Sequence, residues 1–124
     1  MKSSEKEKFA RGLFITMNNR DFSDIENLLD ENVCLDFPGV KRTEGIRKTR
    51  ILLNALLRKY PELEFSVQDV IIDEDRACVV WTNKGLDVNS SPYENNGITL
   101  LNFKAGKISF ISDYFKDTSF TLGS

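Results

Sequence analysis

The stretch GKISFISDYFKDT, Gly106 to Thr118, holds the side chain best suited by type and position to do chemistry. It alternates with the period of a β-strand: Ile108, Phe110, Ser112 and Tyr114 form one row, and Ser109, Ile111, Asp113 and Phe115 the other. Both rows are mostly apolar, so both faces are expected to be covered. Asp113 therefore lies on a greasy row between Ile111 and Phe115. A carboxylate placed there must be paired, hydrogen-bonded or protonated, because an unpaired charge in low dielectric costs several kcal/mol or more. Such a group is the candidate general base or acid of this chain. Its competing use is an ion pair with Lys84 or a bond to a helix amide. Asp36, on the first strand-like run, is the second candidate acid. Two carboxyls whose surroundings push their pKa values apart supply a base and an acid. The competing use of Asp36 is bonding to backbone amides near Pro38 and Gly39. Trp81, Tyr60, Tyr93 and Phe115 are candidates to line an aromatic pocket, with plain core packing the alternative. Lys84 is a candidate electrophile or counter-ion, against the commoner role of a snorkelling surface lysine.

The composition narrows the chemistry. The chain has no histidine, so Ser-His and Cys-His nucleophile pairs and His-ligated zinc or iron are excluded. The glycines are scattered and form no phosphate-binding loop. No metal and no cofactor is expected. A net charge of −2 argues for neither a nucleic-acid nor a membrane-surface partner. The basic residues Arg47, Lys48 and Arg50 lack interleaved aromatics and read as a solvated helix face. No apolar run approaches the roughly 20 residues of a membrane span. The charged start MKSSEKEKF lacks the apolar core of a signal peptide. Cys34 and Cys78 sit in apolar runs and read as reduced packing residues, which with the absent leader points to the cytoplasm. At 124 residues the chain, 1–124, is expected to be a single domain.

The elements that position these residues follow from periodicity. Helical spacing covers 5–19 through Phe9, Ala10, Leu13, Phe14 and Met17. A short second helix is expected after Asp21, with Phe22, Ile25, Leu28 and Leu29 facing the core. A strand over Asn32–Phe37 ends at Pro38 and Gly39. Thr43 is a candidate cap for a third helix carrying Ile46, Leu53, Leu56, Leu57 and Tyr60 inward and stopping at Pro61. From residue 63 the period changes to two. Strands are expected over Leu63–Ile72, Arg76–Val88, Tyr93–Lys104 and Lys107–Lys116, joined by connections short enough for an antiparallel meander. This is an α+β domain, three N-terminal helices packed on a long curved antiparallel sheet. A two-residue turn in the last hairpin would put Ala105 at positive φ. The sequence therefore favours a three-residue loop, Lys104-Ala105-Gly106, with Thr99 opposite Ile111 and Gly97 opposite Asp113. Thr99 and Leu101 then share a face with Ile111, Asp113 and Phe115. Ile98, Leu100, Ile108, Phe110 and Tyr114 share the other. One layer of helices covers one face, so the second is expected to be a homodimer interface.

The layout and three stretches, Asn18–Val33 (NNRDFSDIENLLDENV), Asp36–Arg47 (DFPGVKRTEGIR) and Gly106–Phe115 (GKISFISDYF), resemble a known superfamily. It comprises the nuclear-transport-factor-like, cone-shaped α+β barrels, among them ketosteroid isomerase, the SnoaL-like polyketide cyclases and limonene epoxide hydrolase. The resemblance spans essentially the whole chain, and the DYF of the third stretch is most similar to the epoxide hydrolase and SnoaL-like branches. It implies that Asp113 stands where the epoxide hydrolases place their water-activating aspartate, and that Lys84 stands near their arginine. Leu86 replaces their second pocket aspartate, and Cys34 and Asp36 replace a tyrosine and an asparagine. Against ketosteroid isomerase, Asp36 matches the proton-shuttling base, while Leu13 and Thr99 stand near the oxyanion-binding tyrosine and acid. Steroid-type isomerisation is therefore not expected, since oxyanion donors are worth about 10²–10³ in rate.

The expected function is a SnoaL-like protein that binds a small hydrophobic, cyclic ligand. Asp113 would serve as general base, assisted by Asp36 or Lys84, in isomerase, cyclase or hydrolase chemistry. Thr99, Trp81, Tyr60, Ile111 and Phe115 would form the substrate site. The alternatives are a non-catalytic dimeric binding module of the same fold, or an interaction role of the outer sheet face.

Overall fold

The computed structural model describes residues 1–117. Thr118, the last residue of the stretch singled out above, lies outside the described residues. The elements in chain order are α1 (Ser3–Asn19), a 3-10 turn (Ile25–Asn27), β1 (Leu29–Asp36), β2 (Thr43–Glu44), α2 (Ile46–Lys59), β3 (Glu64–Asp73), β4 (Arg76–Leu86), β5 (Pro92–Lys104) and β6 (Lys107–Phe115). One six-stranded sheet in the order β2-β1-β6-β5-β4-β3 curls around α1 and α2. The core lies in the concavity between the inner sheet face and the two helices. Neither helix is long and apolar enough to cross a membrane.

The fold is α+β as expected, with two corrections. Two helices rather than three pack on the sheet, because the segment after Asp21 forms only a 3-10 turn. The Asp21 carboxylate accepts from the Ser23 amide and hydroxyl and caps no helix. Leu28 instead gives its carbonyl to the Ile108 amide, and Leu29 becomes the first residue of β1, fully buried. Strand pairing takes the residues a longer helix would need. The sheet is also mixed: β3 to β6 form the expected antiparallel meander, but β1 runs parallel to β6. Thr43 does not cap α2 either. It pairs with Leu35 in β2, and Gly45 at φ 93° occupies the cap.

The last hairpin also differs from expectation. Ala105 (φ 50°) and Gly106 (φ 81°) form a two-residue turn with Lys104 opposite Lys107. The register then slips between the Phe103–Ile108 and Asn102–Phe110 pairs, a bulge at Ser109. The slip turns Ile108 inward, where it is fully buried. Burying such a side chain is worth about 1.5–3 kcal/mol, against about 1–2 kcal/mol for a left-handed alanine. Thr99 consequently pairs with Asp113, Leu101 with Ile111 and Gly97 with Phe115. The facing of Thr99, Ile111, Asp113 and Phe115 survives, because the register moves by an even number of positions.

Two polar side chains fix the helices to the sheet. Asn18, near the end of α1, accepts from the Phe65 amide (2.8 Å) and donates to the Phe65 carbonyl (2.9 Å), closing the edge of β3. Arg20, itself left-handed at φ 57°, ends α1 and sends its guanidinium to the carbonyls of Leu57 (2.8 Å), Tyr60 (2.9 Å) and Leu63 (2.9 Å). It thereby bonds the Leu57 and Tyr60 carbonyls at the end of α2 and places a cation at the negative end of the helix. Arg20→Met keeps the stem and removes these bonds. The expected loss is about 2–3 kcal/mol, read as a lowered urea midpoint.

Candidate functional site

The helices and the inner sheet face enclose a cavity of about 50 Å³. Phe14 and Met17 of α1 and Leu53, Leu56 and Leu57 of α2 form its helical wall. Phe37, just after β1, and Leu63, just before β3, close its sides. The sheet contributes Phe65, Trp81, Asn83, Tyr93, Asn95, Asp113 and Phe115. These residues alternate inward along their strands, which is why one sheet face delivers them all. The rings form a continuous chain. Phe14 lies edge-on to Phe65 (5.5 Å), Phe65 edge-on to Trp81 (5.4 Å), then come Phe115 (6.4 Å from Trp81) and Phe37 (5.5 Å from Phe115).

Asp113 stands at this apolar wall. Among the described residues lining the cavity it is the one carboxyl, and no lysine or arginine joins it. Its Oδ1 accepts from the Thr99 hydroxyl (2.5 Å), and Thr99 Oγ1 accepts from Trp81 Nε1 (2.9 Å). The indole N–H can only donate, so the single hydroxyl proton of Thr99 is directed to Asp113. Burial pushes the Asp113 pKa up to about 6, and the Thr99 bond pulls the other way. The residue keeps some exposed surface, yet the carboxyl is hemmed in closely enough for burial to dominate. A carboxyl near pKa 6 in an apolar cavity exists in both protonation states around neutral pH, the condition for a proton acceptor or donor. Thr99→Val removes the bond that favours the charged form and strands the indole N–H. We expect the Asp113 pKa to rise further and stability to fall by about 1–2 kcal/mol, read by carboxyl NMR and urea unfolding.

The structure brings together some of the predicted residues and separates others. Asp113, Trp81 and Phe115 line the cavity, and Thr99 lies buried directly behind Asp113. Ile111 is buried in the core on the same face without lining the cavity. Tyr60 backs the wall, its ring 4.5 Å from that of Tyr93. Burial raises the Tyr93 pKa to about 12, so its hydroxyl stays protonated. Asp36 does not share the cavity. Parallel pairing of β1 with β6 sets Asp36 beside Ser112, on the outer face, where it is half-buried and pairs with Arg42 (3.2 Å). Asp36 and Asp113 meet only along a shallow depression at the sheet surface. Lys84 points outward, exposed, into an open cleft with Glu64, Glu94, Lys116 and Asp117, so it is neither the ion-pair partner of Asp113 nor a cavity residue. Leu13 is core.

Two polar cavity residues, Asn83 and Asn95, are not among the residues the sequence singles out for the site. Asn83 shares the inward row of β4 with Ala77, Val79 and Trp81, and that shared phase was the available signal. Asn95, opposite Asn83 on β5, is tied to the chain after β6: its Nδ2 donates to the Asp117 carbonyl (3.1 Å) and the Tyr93 hydroxyl (3.0 Å). Among the described residues no group of three or more Cys, Asp or Glu is placed to hold a metal ion.

Solved structures of low sequence identity share this architecture. A protein from Jannaschia sp. CCS1, whose name proposes a SnoaL-like polyketide cyclase, superposes with a TM-score of 0.83 at 15% identity, over 91% of this chain and 86% of that one. An NTF2-like protein of unknown function from Burkholderia pseudomallei gives 0.84 at 16% identity, over 93% and 92%. TsrD from Streptomyces laurentii gives 0.83 at 16% identity, over 99% and 98%. At these identities the likeness speaks for the fold. No curated protein matches the sequence. The model of the SnoaL-like domain matches residues 10–111, from the middle of α1 into β6, and the chain belongs to the SnoaL-like domain family.

Proposed function

We propose that this protein binds a small hydrophobic, cyclic molecule in the cavity. Asp113 acts there as general base and acid, in chemistry of the isomerase, cyclase or hydrolase type. The observation that carries this reading is the state of Asp113: a lone carboxyl on an apolar wall, oriented by Thr99 and Trp81, with its pKa raised to about 6. The outward positions of Asp36 and Lys84 leave the proton transfer to Asp113 alone. A cavity of about 50 Å³ has room for water rather than a ring. A cyclic ligand is therefore admitted by movement of the half-buried rings at its margin, Phe115 and Tyr93.

The test is α-proton exchange of 2-tetralone in deuterated buffer, run beside a carboxyl NMR titration of Asp113. Catalysed exchange that rises with ionisation of Asp113 near pH 6 supports the reading, and exchange at the buffer rate sinks proton abstraction as the chemistry.

The small cavity and the outer face favour a second reading, a non-catalytic dimeric module. Ile71, Ile98 and Tyr114 are exposed there, alongside half-buried Cys78, Val80, Leu100 and Phe110. Contiguous apolar surface of this kind marks an interface, here with a second copy of the chain. Sedimentation that gives a dimer, disrupted by Tyr114→Lys, together with no effect of any cyclic probe on the Asp113 titration, would favour it.

A further inference from the structure

We propose that Asn83 is the polar recognition point of the cavity, selecting a cyclic ligand that presents a neutral N–H donor beside a carbonyl, the edge of a lactam. This rests on the ligand-binding reading above and adds what the ligand must carry. Asn83 is 6% exposed and lines the cavity, yet its Oδ1 is buried without a hydrogen-bond partner. Among the described residues its Nδ2 finds no partner either. Its cross-strand neighbour Asn95 is the opposite case. The Asn95 Oδ1 accepts from the amides of Asn96 (2.9 Å) and Asp117 (2.9 Å), and its Nδ2 donates twice. One amide is fully used by the fold and the adjacent one is not used at all.

A buried amide oxygen without a partner costs about 1–3 kcal/mol, and the rings and leucines that line the cavity on this side of Asn83 would meet an apolar side chain without that cost. The carboxamide is explained by a partner outside the protein. It offers a carbonyl and an N–H side by side, so the complement that satisfies both at once is an N–H next to a carbonyl. A carboxylate ligand is disfavoured, because Asp113 shares the cavity and no cation lines it.

The placement also fits. Asp113 lies on the rung of Thr99 and Val79, and Asn83 on the rung of Asn95. Four residues of strand separate the two rungs, roughly 13 Å, with the Trp81 ring between them. A flat ligand held at Asn83 by its edge lies along Trp81 and points toward Asp113.

The test uses 2-quinolone and N-methyl-2-quinolone, which share rings and carbonyl and differ in the donor. Trp81 is the one tryptophan of the chain, so its indole N–H gives a single NMR signal inside the cavity. We expect wild type to bind 2-quinolone about tenfold more tightly than the N-methyl compound, and Asn83→Leu to lose that preference while folding at least as stably. Equal binding of both compounds by wild type, which needs no variant, overturns the role of Asn83 and leaves the pocket reading standing. A preference that persists in Asn83→Leu does the same and assigns Asn83 a bound water only. If neither compound moves the Trp81 signal, both readings fall together.

Discussion

Asn at position 113 is expected to make the protein more stable at about pH 7.5 and inactive in proton transfer. Burial raises the folded-state pKa of Asp113 to about 6, from the 3.8 of an aspartate in the unfolded chain. Between these values the folded protein holds a proton that the unfolded chain has released. The contribution of Asp113 to stability therefore falls as pH rises through this window, and the full cost of the buried charge is present above it. A shift of this size corresponds to at most about 3 kcal/mol, reduced because the residue keeps some exposure. Asp113→Asn retains an oxygen to accept from Thr99 and carries no charge. We expect a gain of about 1–2 kcal/mol at about pH 7.5 that vanishes below about pH 4, measured by urea unfolding at both pH values. Equal stability of the two proteins across this range would show that the carboxyl is well solvated, and would remove the basis for its role as a base. A stabilising substitution that also abolishes 2-tetralone exchange is the signature of a group retained for chemistry at a cost to the fold.

Alanine at Gly97 is expected to be the most damaging small substitution. Gly97 lies on β5 between the Trp81 and Phe115 positions. A Cβ there would stand 2.2 Å from the Tyr114 carbonyl oxygen and 2.8 Å from the Phe115 Cα. These are backbone atoms of the neighbouring strand, so no rotamer change relieves the clash and β5 must separate from β6. The expected loss is about 3–4 kcal/mol, near the upper range for overpacking because the obstacle is main chain. The Trp81 and Phe115 rings that shape the cavity would part as well. A melting temperature that falls, together with a displaced Trp81 indole signal, is the expected result. A variant that melts like wild type would mean that the strands are not drawn together at this point.

Most of what locates the site is local and could be read from the chain. Period-two alternation placed Thr99, Ile111, Asp113 and Phe115 on one face, and that parity withstood a register change. The helical faces of α1 and α2, and the stop at Pro61, follow from spacing and from proline's missing N–H. The resemblance carried by the DYF stretch and the two before it led to the family that the domain model then matched.

What the chain alone left open was decided by contacts distant in sequence. Parallel pairing of β1 with β6 sent Asp36 to the outer face, and nothing within Asn32–Phe37 encodes which strand it will join. Burial of Ile108 selected the Ser109 bulge and the strained turn at Ala105, a trade visible only once the core is assembled. The β1 pairing likewise claimed Leu29 and reduced the expected helix to a 3-10 turn. Tertiary packing left the amide oxygen of Asn83 buried without a partner while tying its neighbour Asn95 to Asp117. The sequence by itself determined the side-chain rows, since alternation and helical period are properties of the local backbone. The tertiary structure decided which rows meet, because strand order and bulges are set by the burial that distant residues achieve together.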